Sequence, residues 1–252
     1  METNEVLEIA LSSGYLLLSN GAEAYRVEET IERICSAYSL ECECITTANG
    51  VFVSVLNKNG EKVTSLRKVR NPKVDLYKIE LINTFSRNIQ DNNISYEEAL
   101  QSLKEIESAP EFSFPVRIFA ACMTSFVYSL FFNGTVFDSI ISATISIGIY
   151  IMMDKISKLG FFQFLEFFFS GFLIGLISMM ADALLPFASE QNIITGAIMI
   201  LLPGVPLTNG IKDIIYGDFT PGFIKVGEAL LIVVAIGAGI GAALTLGAGV
   251  RL

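Results

Sequence analysis

Three carboxylates, Asp182, Asp213 and Glu228, stand in or beside long apolar stretches, where an acid is costly to keep and is read first as an ion carrier. The 252 residues contain no His, so a proton relay here would have to run on such carboxylates. Between Asp182 and Glu228 lies Pro203-Gly204-Val205-Pro206, followed by Leu207-Thr208-Asn209-Gly210 and Lys212-Asp213. Two prolines remove backbone donors and Gly204 relaxes the chain, so an apolar helix breaks there. Backbone groups freed inside lipid need protein, water or a ligand. A second half-helix starting near Leu207 would turn unpaired N–H groups and a positive dipole end toward a bound carboxylate, with Thr208 and Asn209 adding neutral donors and acceptors. Pro203, Gly204, Pro206, Thr208 and Asn209 are therefore the candidate substrate-binding residues, and Asp182, Asp213 and Glu228 the candidate ion-coupling residues. The bland alternative is a proline kink covered by neighbouring helices, with Asp213 merely paired to Lys212 or Lys225. Asp138, Glu166 and Glu190 fall near the ends of apolar stretches and are read as interfacial.

A second charged stretch runs from Gly21 to Thr30. Glu23, Arg26 and Glu29 are spaced to pair along a helix and are candidate gating or regulatory residues; the alternative is a solvated helix face. Cys42 and Cys44 would share one face of a strand, but two thiols without further ligands make a poor metal site, so packing is the expected role and no metal is expected. Neither a Gly-x-Gly-x-x-Gly pattern nor a phosphate-binding loop occurs, so no cofactor is expected. A net charge of −9 excludes nucleic acid as a partner, because nothing would neutralise its phosphates.

The elements that must position these residues fall into two parts. Charged residues occupy 28 of the first 110 positions but only 15 of the last 142, so residues 1–110 read as a soluble-type domain and residues 111–252 as a membrane part. The apolar runs 116–132, 135–153, 161–184, 192–216 and 222–248 are each near or above the length that spans a bilayer. The expected fold class is an α-helical integral membrane protein with about five transmembrane helices, one of them broken. In the first part, helical periodicity covers 4–18 and 23–38, and strand-like segments cover 41–47, 51–56 and 62–69, with turns at Asn49-Gly50 and 57–60. Helices at 73–88 and 95–107 follow, the last opened by a Ser95-x-x-Glu98 capping box, which makes an α+β domain.

Lys and Arg concentrate on one side of the spans, at Arg117, Lys155, Lys158, Lys212 and Lys225, with Arg251 the exception. That distribution predicts a multi-pass protein of the inner or plasma membrane, with the N-terminal domain cytoplasmic and the C-terminus outside. Cysteines in the domain would then stay reduced. Acidic Glu2, Glu5 and Glu8 argue against a signal peptide. Gly171-x-x-x-Gly175, Gly237-x-x-x-Gly241 and Gly239-x-x-x-Ala243 predict close helix contacts, within the chain or between subunits of a homo- or hetero-oligomer.

The run from Leu202 through Pro203-Gly-Val-Pro-Leu-Thr-Asn-Gly-Ile-Lys-Asp213 to Asp218, with Gly222 and Gly227-Glu-Ala-Leu230, resembles the threonine/serine exporter family. The resemblance recurs at Ser19–Thr30, at Thr47-Ala-Asn-Gly-Val-Phe-Val53 and in the helix at 95–106. It implies export of small carboxylated metabolites, threonine and serine or a dicarboxylate such as succinate, driven by the proton gradient. It also implies a site at Pro203, Gly204, Pro206, Thr208, Asn209, Asp213 and Glu228. Lys212 departs from an expected Arg, keeping the charge without the bidentate fork. Because the chain stops after one hydrophobic segment, it looks like the split form, in which a separate small membrane subunit supplies the second.

Three readings follow: a secondary exporter working as one component of a two-part carrier, a membrane-anchored hydrolase with an acidic site in residues 1–110, and a sensor or scaffold whose domain binds a partner. Five spans, one of them broken, exceed what an anchor needs, and the exporter reading is preferred. Its partners are a small-molecule substrate, the lipid bilayer and the second subunit.

Overall fold

The computed structural model describes residues 1–56, 60–70, 72–92, 94–157 and 162–250. Positions 57–59 of the expected turn, Lys158, Phe161 at the expected start of the third span, and Arg251 lie outside the described residues. The chain forms two compact units, Met1–Pro110 with Gly204–Gly227, and Glu111–Pro203 with Glu228–Leu252.

The first unit is built from α1 (Thr3–Ser19), α2 (Ala24–Ala37), β1 (Cys42–Thr47), β2 (Gly50–Leu56), β3 (Lys62–Lys68), α3 (Leu76–Asp91) and α4 (Tyr96–Glu107). Val27, Ile31 and Ile34 recur at helical spacing on α2 and are fully buried, and Glu29 and Glu32 lie exposed on its other side. The strands pair antiparallel in the order β1-β2-β3, with Val51, Val53 and Val55 of the central strand buried. Alternation puts these three on one face of the sheet, where they join the α1 and α2 residues Val6, Ile9, Leu17 and Ile31 in one core. Two helix starts are fixed by their sequence. The Asp75 carboxylate accepts from Tyr77 N and Lys78 N, both at 3.1 Å, at the start of α3. At α4, Ser95 Oγ accepts from Glu98 N at 3.3 Å while Glu98 Oε2 accepts from Ser95 N at 2.9 Å, which is the reciprocal cap that the spacing predicts.

The second unit holds α5 (Phe114–Phe131), α6 (Val136–Ser157), α7 (Gln163–Leu184) and α8 (Glu190–Ile198). Two further helices, α9 (Gly204–Tyr216) and α10 (Phe219–Val250), complete the chain; α9 lies in the first unit, and α10 contributes to both. Among the described residues, four helices are long and apolar enough to cross a membrane: Phe114–Phe131, Val136–Ile156, Gln163–Leu184 and Phe219–Gly247. The expected fourth span, at 192–216, is not one helix. It is α8, of 9 residues, and α9, of 13, each short of the roughly 20 that cross a bilayer. Pro203 stands in the non-helical link between them, and Pro206 lies in the first turn of α9, where a missing N–H leaves no helical bond unmade.

The core of the second unit gathers Ile145, Ile149, Ile174, Ile193, Ala197, Leu201 and Ile236. Close approach of α7 and α10 explains part of the small-residue pattern. A Cβ on Gly171 would lie 2.5 Å from Ile236 O, one on Gly175 would lie 3.0 Å from Ala243 Cβ, and Gly239 sits against Phe168 O. Gly237 and Gly241 have nothing within 4 Å of a built Cβ. Asp138, read from the sequence as interfacial, is fully buried within the protein. Its carboxylate accepts from Ser189 N at 2.8 Å, Thr135 N and Thr135 Oγ1 at 2.9 Å, and Asn192 Nδ2 at 3.4 Å, tying the start of α6 to α8.

Candidate functional site

The loop between α1 and α2 is short and sharply bent. Asn20 caps α1 through Nδ2, which donates to Leu16 O at 2.7 Å, and Gly21 takes a φ of 85°, a conformation that favours glycine. The segment just before α3 holds the loop from one side, with Lys73 N donating to Ser19 O at 2.9 Å and Asp75 N to Asn20 O at 3.1 Å. The loop ends at Glu23, immediately before the first turn of α2, where backbone N–H groups have no helical partners.

Helix α9 and the start of α10 bind the loop, and Asp213 of α9 supplies one such N–H with its partner. Asn209 Nδ2 donates to Gly21 O at 2.9 Å, and Lys225 Nζ donates to Ala22 O at 3.0 Å. Asp213 accepts from Ala24 N at 2.8 Å through Oδ1 and from Lys225 Nζ at 2.8 Å through Oδ2. A carboxylate at a helix N-terminus meets both the unpaired N–H and the positive end of the helix dipole. Lys212 Nζ reaches Glu23 Oε1 at 2.9 Å, and Arg26 lies 3.5 Å from the other Glu23 oxygen. At the far end of α9, Tyr216 stacks on Tyr25 with ring centroids 4.1 Å apart and planes 15° apart. Asp213 is fully buried, so its pairing with Lys225 is desolvated and strong only while complete. Burial of Glu23 works against its charged form, but the Lys212 hydrogen bond, its own backbone and Arg26 outweigh it and hold the carboxyl below the usual glutamate range.

Two glycines let α9 and α10 approach closely enough for this. A Cβ on Gly222 would lie 2.8 Å from Gly210 O, and one on Gly210 would lie 3.0 Å from Gly222 O. Neither helix could carry a side chain at the crossing without moving the other.

The fold thus joins residues singled out from two distant parts of the sequence. Glu23, Arg26, Asn209 and Asp213 form one cluster, with Lys212 and Lys225. Glu29 is exposed and lies outside it. Thr208 is exposed, its hydroxyl donating along its own helix to Gly204 O at 2.9 Å. Gly204 and Pro206 lie in the first turn of α9, while Pro203, the half-buried Asp182 and the exposed Glu228 belong to the second unit. Sequence reasoning gave Lys225 only a place in the charge bias and a possible pairing with Asp213, and it assigned no role to Ala22 and Ala24, whose backbones carry two of the bonds. A half-buried lysine's dependence on a carboxylate one helix away has no periodic signal.

Four long apolar helices, a helix pair broken at proline and an α+β domain define a multi-pass helical membrane protein. The chain belongs to the threonine/serine exporter family: residues 8–247 match that family, described as "Putative threonine/serine exporter". It is similar to the "Probable threonine/serine exporter" of Mycobacterium tuberculosis, with 22% identity over 244 residues, covering 95% of this chain and 46% of that protein. The chain therefore spans about half the length of that relative. It is also similar to the "Probable succinate transporter subunit YjjP" of Escherichia coli, with 20% identity over 244 residues, covering 96% of this chain and 94% of that protein. The protein of the same name from Klebsiella aerogenes is 20% identical over 249 residues, covering 97% of this chain and 95% of its own length. No solved structure matches the chain.

Proposed function

We propose that this protein is one component of a two-part secondary exporter of small carboxylated metabolites, either threonine and serine or a dicarboxylate such as succinate. The observation that supports it most is family membership over nearly the whole chain, together with the convergence of Glu23, Asn209, Lys212 and Asp213 on one loop. The relative named as a transporter subunit, which this chain nearly matches in length, favours a separate partner subunit. In this reading the N-terminal domain is cytoplasmic, the C-terminus faces outside and the proton gradient drives flux.

The break at Pro203–Pro206 is the moving joint of the cycle. Pro203, Gly204, Pro206, Thr208 and Asn209 contact the substrate when α9 is released from the 21–24 loop, and Glu23 and Arg26 gate that release through Lys212. Asp182, Asp213 and Glu228 carry the coupling protons, and Glu29 modulates the gate.

Efflux from cells preloaded with labelled threonine, serine or succinate tests the proposal. The chain is expressed alone, with a candidate small membrane subunit, and with Asn209→Ala in place of wild type. Efflux of one solute that needs both proteins, collapses with the proton gradient and is lost in the variant is expected. Absence of flux for all three solutes, with both proteins in the membrane, would remove these substrates and favour the sensor reading.

A further inference from the structure

The outward face of the three-stranded sheet carries an apolar row that the domain's core does not use. Ile45, Phe52 and Leu66 are direct cross-strand partners on β1, β2 and β3. Phe52 alternates with the buried Val51 and Val53, so the row points away from the core, and its three residues are 65%, 41% and 61% exposed. Leu56 is exposed on the same face. Apolar side chains in direct register form a patch rather than scattered surface residues, and such a patch marks a contact surface. The flanks of the row carry opposite charges. Glu41 and Glu43 are exposed along the β1 edge, and Lys62 and Lys68 along the β3 edge. Leu56 N donates to Glu41 O at 3.3 Å and Leu56 pairs with Lys62, which sets Glu41, Leu56 and Lys62 in one row. Lys62 Nζ reaches Glu43 at 2.8 Å, with both side chains still exposed to solvent.

We propose that this face packs on the same face of a second copy of the chain, about a two-fold axis parallel to β2. The charge pattern selects both the occupant and the axis. Such an axis lays β1 of one copy over β3 of the other and keeps every cross-strand row in register. Phe52 then meets Phe52, Leu56 meets Leu56 and Ile45 meets Leu66, while Glu41 and Glu43 face Lys62. An axis across the strands would instead lay β1 on β1, setting one acidic edge on the other. Two twisted sheets pack face to face within about 30° of alignment, which this arrangement satisfies. At about 4.8 Å between strands and about 3.4 Å per residue, three strands of this length present about 350 Å², under half of the roughly 800 Å² per partner of a stable soluble complex. The contact therefore joins chains that a membrane already confines, where the effective concentration is high. It uses neither the glycines of α10 nor the residues at the helix break.

The test is cross-linking of the full-length chain in membranes. In a chain whose native cysteines are replaced, Phe52→Cys is expected to form a disulfide with itself on mild oxidation. Ile45→Cys is expected to link to Leu66→Cys of a differently tagged copy several-fold more than to itself. Adding Glu41→Lys with Glu43→Lys to the Phe52→Cys chain, or adding Lys62→Glu, should each lower the Phe52 link several-fold at low salt. Co-expressing these two variants should restore it, because the mixed pair regains opposite charges on both edges. If the chain does not fold without its buried Cys35, a carbodiimide applied to mixed isotope-labelled and unlabelled wild-type copies joins Glu41 or Glu43 to Lys62 between copies, read by mass spectrometry. Absence of a link between copies by both routes overturns the proposal, as does an Ile45→Cys that prefers itself to Leu66→Cys. A Phe52→Cys that forms no link and is shielded from a water-soluble maleimide by lipid also overturns it, giving the face to the bilayer.

Discussion

The Asp213 carboxylate accepts the backbone N–H of Ala24 at 2.8 Å, across a sequence separation of 189 residues, while its second oxygen takes Lys225 Nζ at 2.8 Å. One fully buried side chain thereby caps α2 and neutralises a cation from α10. The segment 204–227 is held to the N-terminal domain largely through this residue and its neighbours Asn209 and Lys212.

Breaking that ion pair from one side should cost far more than removing it whole. Lys225→Met leaves a buried carboxylate without its cation and is expected to lose about 3–5 kcal/mol of stability. The double variant Asp213→Asn with Lys225→Met should recover most of that loss, because Asn still offers an oxygen to Ala24 N. Thermal unfolding in detergent of the two single variants and the double variant measures the coupling. Simple additivity would contradict the account.

The Glu23–Lys212 bond should be indifferent to pH through the neutral range and fail only in acid. The folded carboxyl lies below its usual range, so its contribution is fully present above the unfolded value and is lost as pH falls through the folded one. Lys212 is half-exposed, which limits the bond to about 1 kcal/mol or less. The stability difference between wild type and Lys212→Ala should stay constant from about pH 5 to 8 and shrink toward zero below about pH 4. A difference that vanished between pH 7 and 6 would point to another titrating group.

Glycine substitutions separate packing from the break. Gly222→Ala places a methyl 2.8 Å from Gly210 O and should cost about 1–3 kcal/mol, visible as a lowered Tm. A Cβ on Gly204 meets nothing within 4 Å, so Gly204→Ala should fold as wild type. Any loss of flux in that variant then reports on substrate contact or motion at the joint rather than on folding.

Asp138 should prove structural. Asp138→Ala removes the acceptor of Thr135 N and Ser189 N and should lower the Tm, by about 1 kcal/mol or more of stability. Asp138→Asn keeps one acceptor and should be milder. A normal Tm for Asp138→Ala would show that these bonds do not hold α6 to α8.

Local structure was legible in the sequence wherever a period or a cap carried it. The valines of β2, the apolar stripe of α2 and the Ser95–Glu98 box all lie where their spacing puts them, and Pro203 marks a real interruption. The destination of α9 was not legible. Its grip on the 21–24 loop runs through backbone atoms of Gly21, Ala22 and Ala24, which every residue type shares and no pattern marks. Asn209 and Asp213 are read from the sequence as site residues of a broken span, and the fold also gives them protein partners in the 21–24 loop. Asp138 carried a signal in Thr135-x-x-Asp138, a capping spacing masked by its place at a span end.

The central claim is that α9 must leave the 21–24 loop during transport. Tyr25 and Tyr216, stacked at 4.1 Å, mark where it can be fastened. In a chain whose native cysteines are replaced, Tyr25→Cys and Tyr216→Cys are bridged by a short, reductively cleavable bismaleimide, and efflux of the transported solute is followed in proteoliposomes. The account predicts that bridging stops efflux and that cleaving the bridge restores it. Complete bridging with undiminished efflux would contradict it.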